Sequence, residues 1–175
     1  MSGRILQDPA NKFFEDFEAG DIVRTRGRTI DVGDITLFAG LTGDHYQLHT
    51  DEQHCQETRF GTRIAHGPFT FTIAVGLVAI SGFYGDAIVA LVEINGLKAL
   101  KPVFPGDTLR VEATVMTLGA AKNPKYGSLE VNYSVLNQSD EAVMTFLQIM
   151  LAKRRDRTNP NKAADQSSLN PKPPY

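Results

Sequence analysis

From residue 87 onward the chain reads as strand. Four strand-like runs, at about 87–99, 108–118, 127–137 and 142–152, are separated by turn chemistry at Pro105-Gly106-Asp107, Asn123-Pro124-Lys125 and Gln138-Ser139-Asp140. Short connections between long strands predict an antiparallel meander. Ahead of them, residues 68–81 carry a helical pattern: Pro68 suits a first helical position, and Phe69, Ile73, Val75, Leu77, Val78 and Ile80 cover most of the circumference. A helix that is apolar all round is a buried one. In the first third, residues 22–29 alternate weakly after the turn pair Gly20-Asp21. Asp31 then suits an N-cap, and Ile35, Phe38 and Ala39 follow at helical spacing, so a short helix ends near Gly40 or Gly43. One buried helix and an antiparallel sheet that has to cover it define an α+β layer with the sheet wrapped round the helix. No internal repeat is present.

Composition narrows the class without changing this picture. The 175 residues fit one domain, 42% of them are hydrophobic and the net charge is −2, so neither disorder of the main body nor a nucleic-acid-binding excess of basic residues is expected. Residues 153–175 hold four prolines, many polar residues and little that is apolar, and are expected to form a tail beyond a single domain at 1–152. Cys55 is the only cysteine, which excludes an internal disulfide framework and a cysteine-based zinc site. The N-terminal residues have no apolar segment of a secretory signal, and residues 73–80 are too short to span a membrane. A cytoplasmic protein is therefore expected.

The densest reactive cluster is Gly43-Asp44-His45-Tyr46-Gln47-Leu48-His49, followed by His66-Gly67-Pro68. A loop leaving a helix places a carboxylate and an imidazole five residues apart around one small cavity, which suits proton shuttling at adjacent carbons. Gly67, just ahead of the buried helix, brings a backbone N–H close to a ligand, where the helix dipole favours developing negative charge. On spacing alone other readings stay open. A Gly-Asp pair also makes an ordinary turn, a lone His49 also caps a loop, and the reaction is not specified.

The stretch 38–51 (FAGLTGDHYQLHTD), with Phe60-Gly61-Thr62-Arg63-Ile64-Ala65-His66-Gly67 downstream, resembles the signature of MaoC-like dehydratases and R-specific enoyl-CoA hydratases. The resemblance extends to 17–21 (FEAGD) and 101–107 (KPVFPGD), and so covers roughly residues 13–152. It implies a hot-dog fold, a central helix wrapped by a curved antiparallel sheet, paired into a homodimer or a dimer of dimers with CoA near the interface. It also implies that Asp44 and His49 jointly hold a water, adding its oxygen at C3 of a 2-enoyl-CoA thioester and supplying the proton at C2, while the Gly67 N–H holds the thioester oxygen. No cofactor is implied, since CoA is part of the substrate. Two departures stand out. Tyr46-Gln47 occupies the place of a common Asn-Pro, and a frequent serine falls on Thr72.

Tyr46, His66, Arg59 and Arg63 are the candidate substrate-binding residues, and together with His45 they favour a short, branched or carboxylated acyl group. Arginine geometry suits a CoA phosphate or an acidic acyl group, although both arginines also fit a solvated surface. A metal at His45, His49 and Asp51 is not expected, because a loop after Gly43 does not align two imidazoles on one helical face. Cys55 beside His54 is expected to be inert, and Lys153-Arg154-Arg155 to be solvated charge. Two alternatives to hydration are a hot-dog thioesterase, opposed by the lack of Asp or Glu between Gly67 and Gly82, and a non-catalytic acyl-CoA-binding or assembly subunit. No membrane or nucleic-acid partner is expected.

Overall fold

A computed structural model of the chain describes residues 10–155. A 3-10 turn (Phe14–Asp16) leads into two short strands, β1 (Ile22–Arg24) and β2 (Arg28–Thr29). Three helices follow, α1 (Val32–Thr42), α2 (Gln47–Thr50) and α3 (Glu52–Gln56), then the long helix α4 (Gly67–Ile80). The chain closes with β3 (Ile88–Ala99), β4 (Thr108–Ala120), β5 (Tyr126–Leu136) and β6 (Ala142–Lys153).

The strands form one six-stranded antiparallel sheet in the order β1-β4-β5-β6-β3, with β2 also on β4. Only β4-β5-β6 is a meander. The expected β3-β4 hairpin does not form; β3 crosses to the far edge and pairs with β6, because the link 100–107 packs inward through buried Val103 instead of turning back. That link ties to two other parts of the fold: Leu100 N–H donates to Val143 O, and Val103 O accepts from Ala65 N–H at 2.8 Å.

Strands β4, β5 and β6 alternate buried and half-buried positions. Their inward residues, among them Val111, Val115, Leu129, Val131, Val135 and Phe146, form the surface on which α4 lies through Phe69, Ala74, Leu77 and Val78. The enclosure is one-sided. Thr72, Gly76 and Ile80 on the opposite face of α4 are exposed, Ile80 by 82%, because a single curved sheet covers only one face of a helix. Strand β3 is open as well, with Val89, Leu91, Val92, Ile94 and Leu97 exposed.

Phe14 closes one end of this core. A Cβ on Gly127 would come within 2.2 Å of the Phe14 ring, so the strand admits that ring only because position 127 has no side chain. The charges at the end of β6 are paired, not solvated as the sequence suggested. Lys153 binds Asp86 at 2.6 Å, Arg154 lies against Glu15 and over Phe14, and Arg155 binds Asp16 at 2.5 Å and lies over Phe13. These partners come from the N-terminal turn and the α4–β3 link, elements far away in sequence. The remainder of the expected tail lies outside the described residues. Among those residues no helix is long and apolar enough to cross a membrane.

Candidate active site

The site begins at the end of α1. Asp31 caps the start of that helix by accepting from Asp34 N–H, and Gly43 ends it in the left-handed region at φ 77°, its N–H donating to Ala39 O at 2.8 Å. That turn frees Asp44. Residues after it were expected to be loop, yet they form two short helices. Asp51 caps α3 by accepting from His54 N–H, and the buried Cys55 thiol lies 3.5 Å from Gln47 O and 3.4 Å from Leu48 O, which anchors α2. Burial of the thiol pushes its pKa up, as suits an inert packing role.

Helix α2 carries His49. Its Nδ1 lies 2.8 Å from the carbonyl oxygen of Ile64. A carbonyl only accepts, so Nδ1 carries the ring proton and Nε2 presents a lone pair. His66, at the N-cap of α4, is fully buried, and its Nε2 lies 2.9 Å from the main-chain carbonyl of Asp44, which fixes the opposite tautomer. The two imidazoles stack at 3.7 Å, with Phe38 on His66 at 5.0 Å. One polar atom from each of Asp44, His49 and His66 lies within 4.8 Å of the others.

His66 Nδ1 is buried without a hydrogen-bond partner among the described residues. An N-cap side chain ordinarily accepts from the second or third residue of its helix, and the second here is Pro68, which has no N–H. A bare buried acceptor costs about 1–3 kcal/mol. Burial lowers the His66 pKa; its bond to the Asp44 carbonyl opposes this, while neighbouring His49 adds to it.

Beside this cluster lies a cavity of about 270 Å³, lined by His49, Arg59, Phe60, Gly67, Thr70 and the β3–β4 link at Leu100 and Pro102. Gly67 N–H, in the first turn of α4, has no acceptor among the described residues. A Cβ at Gly67 would meet nothing within 4 Å. Arg59 has no carboxylate partner among the described residues and lies over Phe60 at 4.8 Å.

The expected residues divide accordingly. His49, Gly67 and Arg59 border the cavity, and Asp44 is exposed next to His49. His66 does not reach the cavity wall, because Phe38 and His49 enclose it. Arg63 is held by Glu52 at 2.9 Å, and that carboxylate is kept below its ordinary pKa first by the Thr62 hydroxyl and then by Arg63. Tyr46 is 63% exposed, its ring centre 6.5 Å from that of His49, and it does not line the cavity. Thr72 is exposed and bonded to Phe69 O, whereas Thr70 is the buried hydroxyl in the wall. Helical spacing carries that signal: Gly67 and Thr70 are three apart and share a face, whereas Thr72 is five from Gly67 and does not. Ile64, which acts through its carbonyl, was not foreseen.

An α4 helix held by a curved antiparallel sheet, with Asp, His and a free helix-terminal N–H beside one cavity, is the arrangement of a hot-dog protein. Residues 16–137 match the MaoC-like domain family, and the chain belongs to it. Protein MaoC of Klebsiella aerogenes is 38% identical over 106 residues, 61% of this chain, but the chain spans only 31% of it. A mesaconyl-CoA hydratase of Cereibacter sphaeroides is 30% identical over 90% of this chain and 46% of its own length, and an (R)-specific enoyl-CoA hydratase of Rhodospirillum rubrum is 35% identical over 70% and 81%. The fold superposes with TM-score 0.79 on a protein of Archaeoglobus described as a monoamine oxidase regulatory protein, at 32% identity over 83% of this chain and 96% of that one. It also superposes at 0.74 on a double hot-dog protein of Mycobacterium tuberculosis, 20% identical over 85% of this chain and 46% of that one.

Proposed function

We propose that the protein is a hydro-lyase that adds water reversibly across the double bond of a 2-enoyl-CoA whose acyl group is short, branched or carboxylated. The observation that carries this reading is the convergence of an Asp44 carboxylate oxygen and a ring nitrogen of His49 within 4.8 Å, with Nδ1 of that ring held by Ile64 and the Gly67 N–H without an acceptor among the described residues. The thioester oxygen accepts from Gly67 N–H. Asp44 and His49 hold one water between them; its oxygen bonds to C3, one of its protons passes to this pair, and the pair returns a proton to C2. The enolate-like charge that builds on the thioester oxygen faces the positive end of α4.

No metal takes part in this scheme. The absence of any Asp or Glu on α4 speaks against the thioesterase alternative. Close approach of Asp44 to His49 speaks against a non-catalytic binding subunit.

Arg59 at the cavity, without a carboxylate partner among the described residues, supports recognition of an anionic acyl group, and the relative named mesaconyl-CoA hydratase agrees with it. The open α4 face and the exposed β3 support a homodimer. A free Cys55 suits the cytoplasm. Purified protein incubated with a panel of 2-enoyl-CoA and 3-hydroxyacyl-CoA esters, including branched and dicarboxylic members, tests the reading. Interconversion of at least one pair supports it, and hydrolysis to free CoA, or no conversion of any member, contradicts it.

A further inference from the structure

We infer that His66 is a positioning residue: its Nε2–H pins the main-chain carbonyl of Asp44 while its ring backs His49, so that one buried imidazole sets the distance between the acid and base of the site. This rests on the hydration reading for its kinetic consequence, although the geometry stands without it. Asp44 is exposed, and its own local contacts are long: its N–H lies 3.3 Å from the Thr42 hydroxyl and its Oδ1 3.3 Å from Tyr46 N–H, while the Thr50 hydroxyl holds the carbonyls of His45 and Tyr46 at 3.1 and 3.2 Å. The 2.9 Å bond from His66 spans 22 residues and ties this turn to the N-terminus of α4, where Gly67 lies. The same ring stacks on His49 at 3.7 Å. Phe38 of α1, the helix that delivers Asp44, packs against it with ring centres 5.0 Å apart.

Three elements that must stay in register, α1 with Asp44, α2 with His49 and α4 with Gly67, therefore meet at one side chain. Charging that ring would put a proton on Nδ1, which is buried with no acceptor. The ring is thus suited to hold its neighbours and unsuited to exchange protons with substrate, from which Phe38 and His49 separate it.

Nitrogen-15 NMR of the labelled full-length protein reads the first half of this directly. The expected spectrum shows His66 neutral, with the proton on Nε2 and Nδ1 bare, between pH 6 and 8. A proton on Nδ1, or a charged ring across that range, overturns the inference whether or not the protein is a hydratase. Two variants read the second half. His66→Gln keeps an N–H donor near the Nε2 position, and His66→Phe keeps the ring but has no donor. Misplacing a reacting group by about 1 Å costs on the order of 100-fold, so His66→Phe is expected to lower kcat at least about tenfold with KM within about threefold, and His66→Gln to recover most of that loss. Equal impairment of both variants, or a His66→Phe enzyme as fast as the original, overturns it. If the original protein hydrates nothing, the functional reading fails separately, and the NMR result still decides whether His66 holds Asp44.

Discussion

His49 donates from Nδ1 to the carbonyl of Ile64 at 2.8 Å, and this one bond decides which ring nitrogen faces the site. Ile64 lies in the segment running into α4, whose next residue, Ala65, is bonded to Val103 in the β3–β4 link. The orientation of the candidate base is thus set by backbone from two distant parts of the chain. Such orientation by main-chain carbonyls is insensitive to side-chain mutation at Ile64, so Ile64→Val is expected to leave activity nearly unchanged.

Arg59 carries the substrate prediction. If the acyl group is acidic, replacing Arg59 with Gln removes the charge proposed to face it. Hydrogen bonds to charged groups contribute about 1.5–3 kcal/mol, less at an exposed site. Arg59→Gln should therefore raise KM about 3- to 10-fold for a dicarboxylic enoyl-CoA and leave a four-carbon monocarboxylic one within about twofold. Equal effects on both substrates would instead assign Arg59 to the CoA moiety.

The open face of α4 and the exposed strand β3 predict self-association. Light scattering at micromolar concentration should give twice the chain mass or a multiple of that, and Val92→Lys, which places charge on β3, should shift the population toward monomer. A monomer before any substitution contradicts the prediction.

Much of the fold was legible in the sequence because it rests on local signals. The periodicity of α4, the capping Asp31 and the turn at Gly43 all act within a few residues. Strand neighbours were not legible. Hydrophobic runs mark β3 and β4 as strands, but nothing local shows that buried Val103 draws their link inward and sends β3 to β6. Helices α2 and α3 were hidden for a similar reason, since Cys55 stabilises α2 through contacts seven and eight residues away. At the site, the residue types of Asp44, His49 and Gly67 were visible, whereas the inward turn of His66 depends on a contact across 22 residues.

Gly127 tests the core. A methyl group there would overlap the Phe14 ring, and overpacking costs about 1–3 kcal/mol. Gly127→Ala should lower the urea midpoint accordingly, and Phe14→Leu in the same chain should restore part of it by making room. A midpoint unchanged in Gly127→Ala would show that the Phe14 ring is not fixed where the structure has it.

Stability should also depend on His66 near neutral pH. Burial lowers its pKa in the folded chain, so between that value and the unfolded value of about 6.5 the unfolded state binds the extra proton. Its contribution is therefore full above about pH 6.5 and is lost as pH falls through and below it, by at most about 1.4 kcal/mol per pH unit. Urea unfolding from pH 7.5 to 5.5 should show this slope, and His66→Phe should flatten it. Identical slopes in both proteins would mean that His66 titrates normally in the fold.

If Asp44 and His49 act on one water, the loss of conjugated thioester absorbance during hydration of a short 2-enoyl-CoA reports their joint contribution. Groups of this kind contribute roughly 100- to 10,000-fold. Asp44→Asn and His49→Ala should each lower kcat at least about 100-fold with the fold intact by circular dichroism, and the double variant should be little slower than the poorer single one, because the two work as a unit. His54→Ala, on α3, should stay near normal. Near-normal turnover by a folded Asp44→Asn protein would exclude Asp44 from the chemistry.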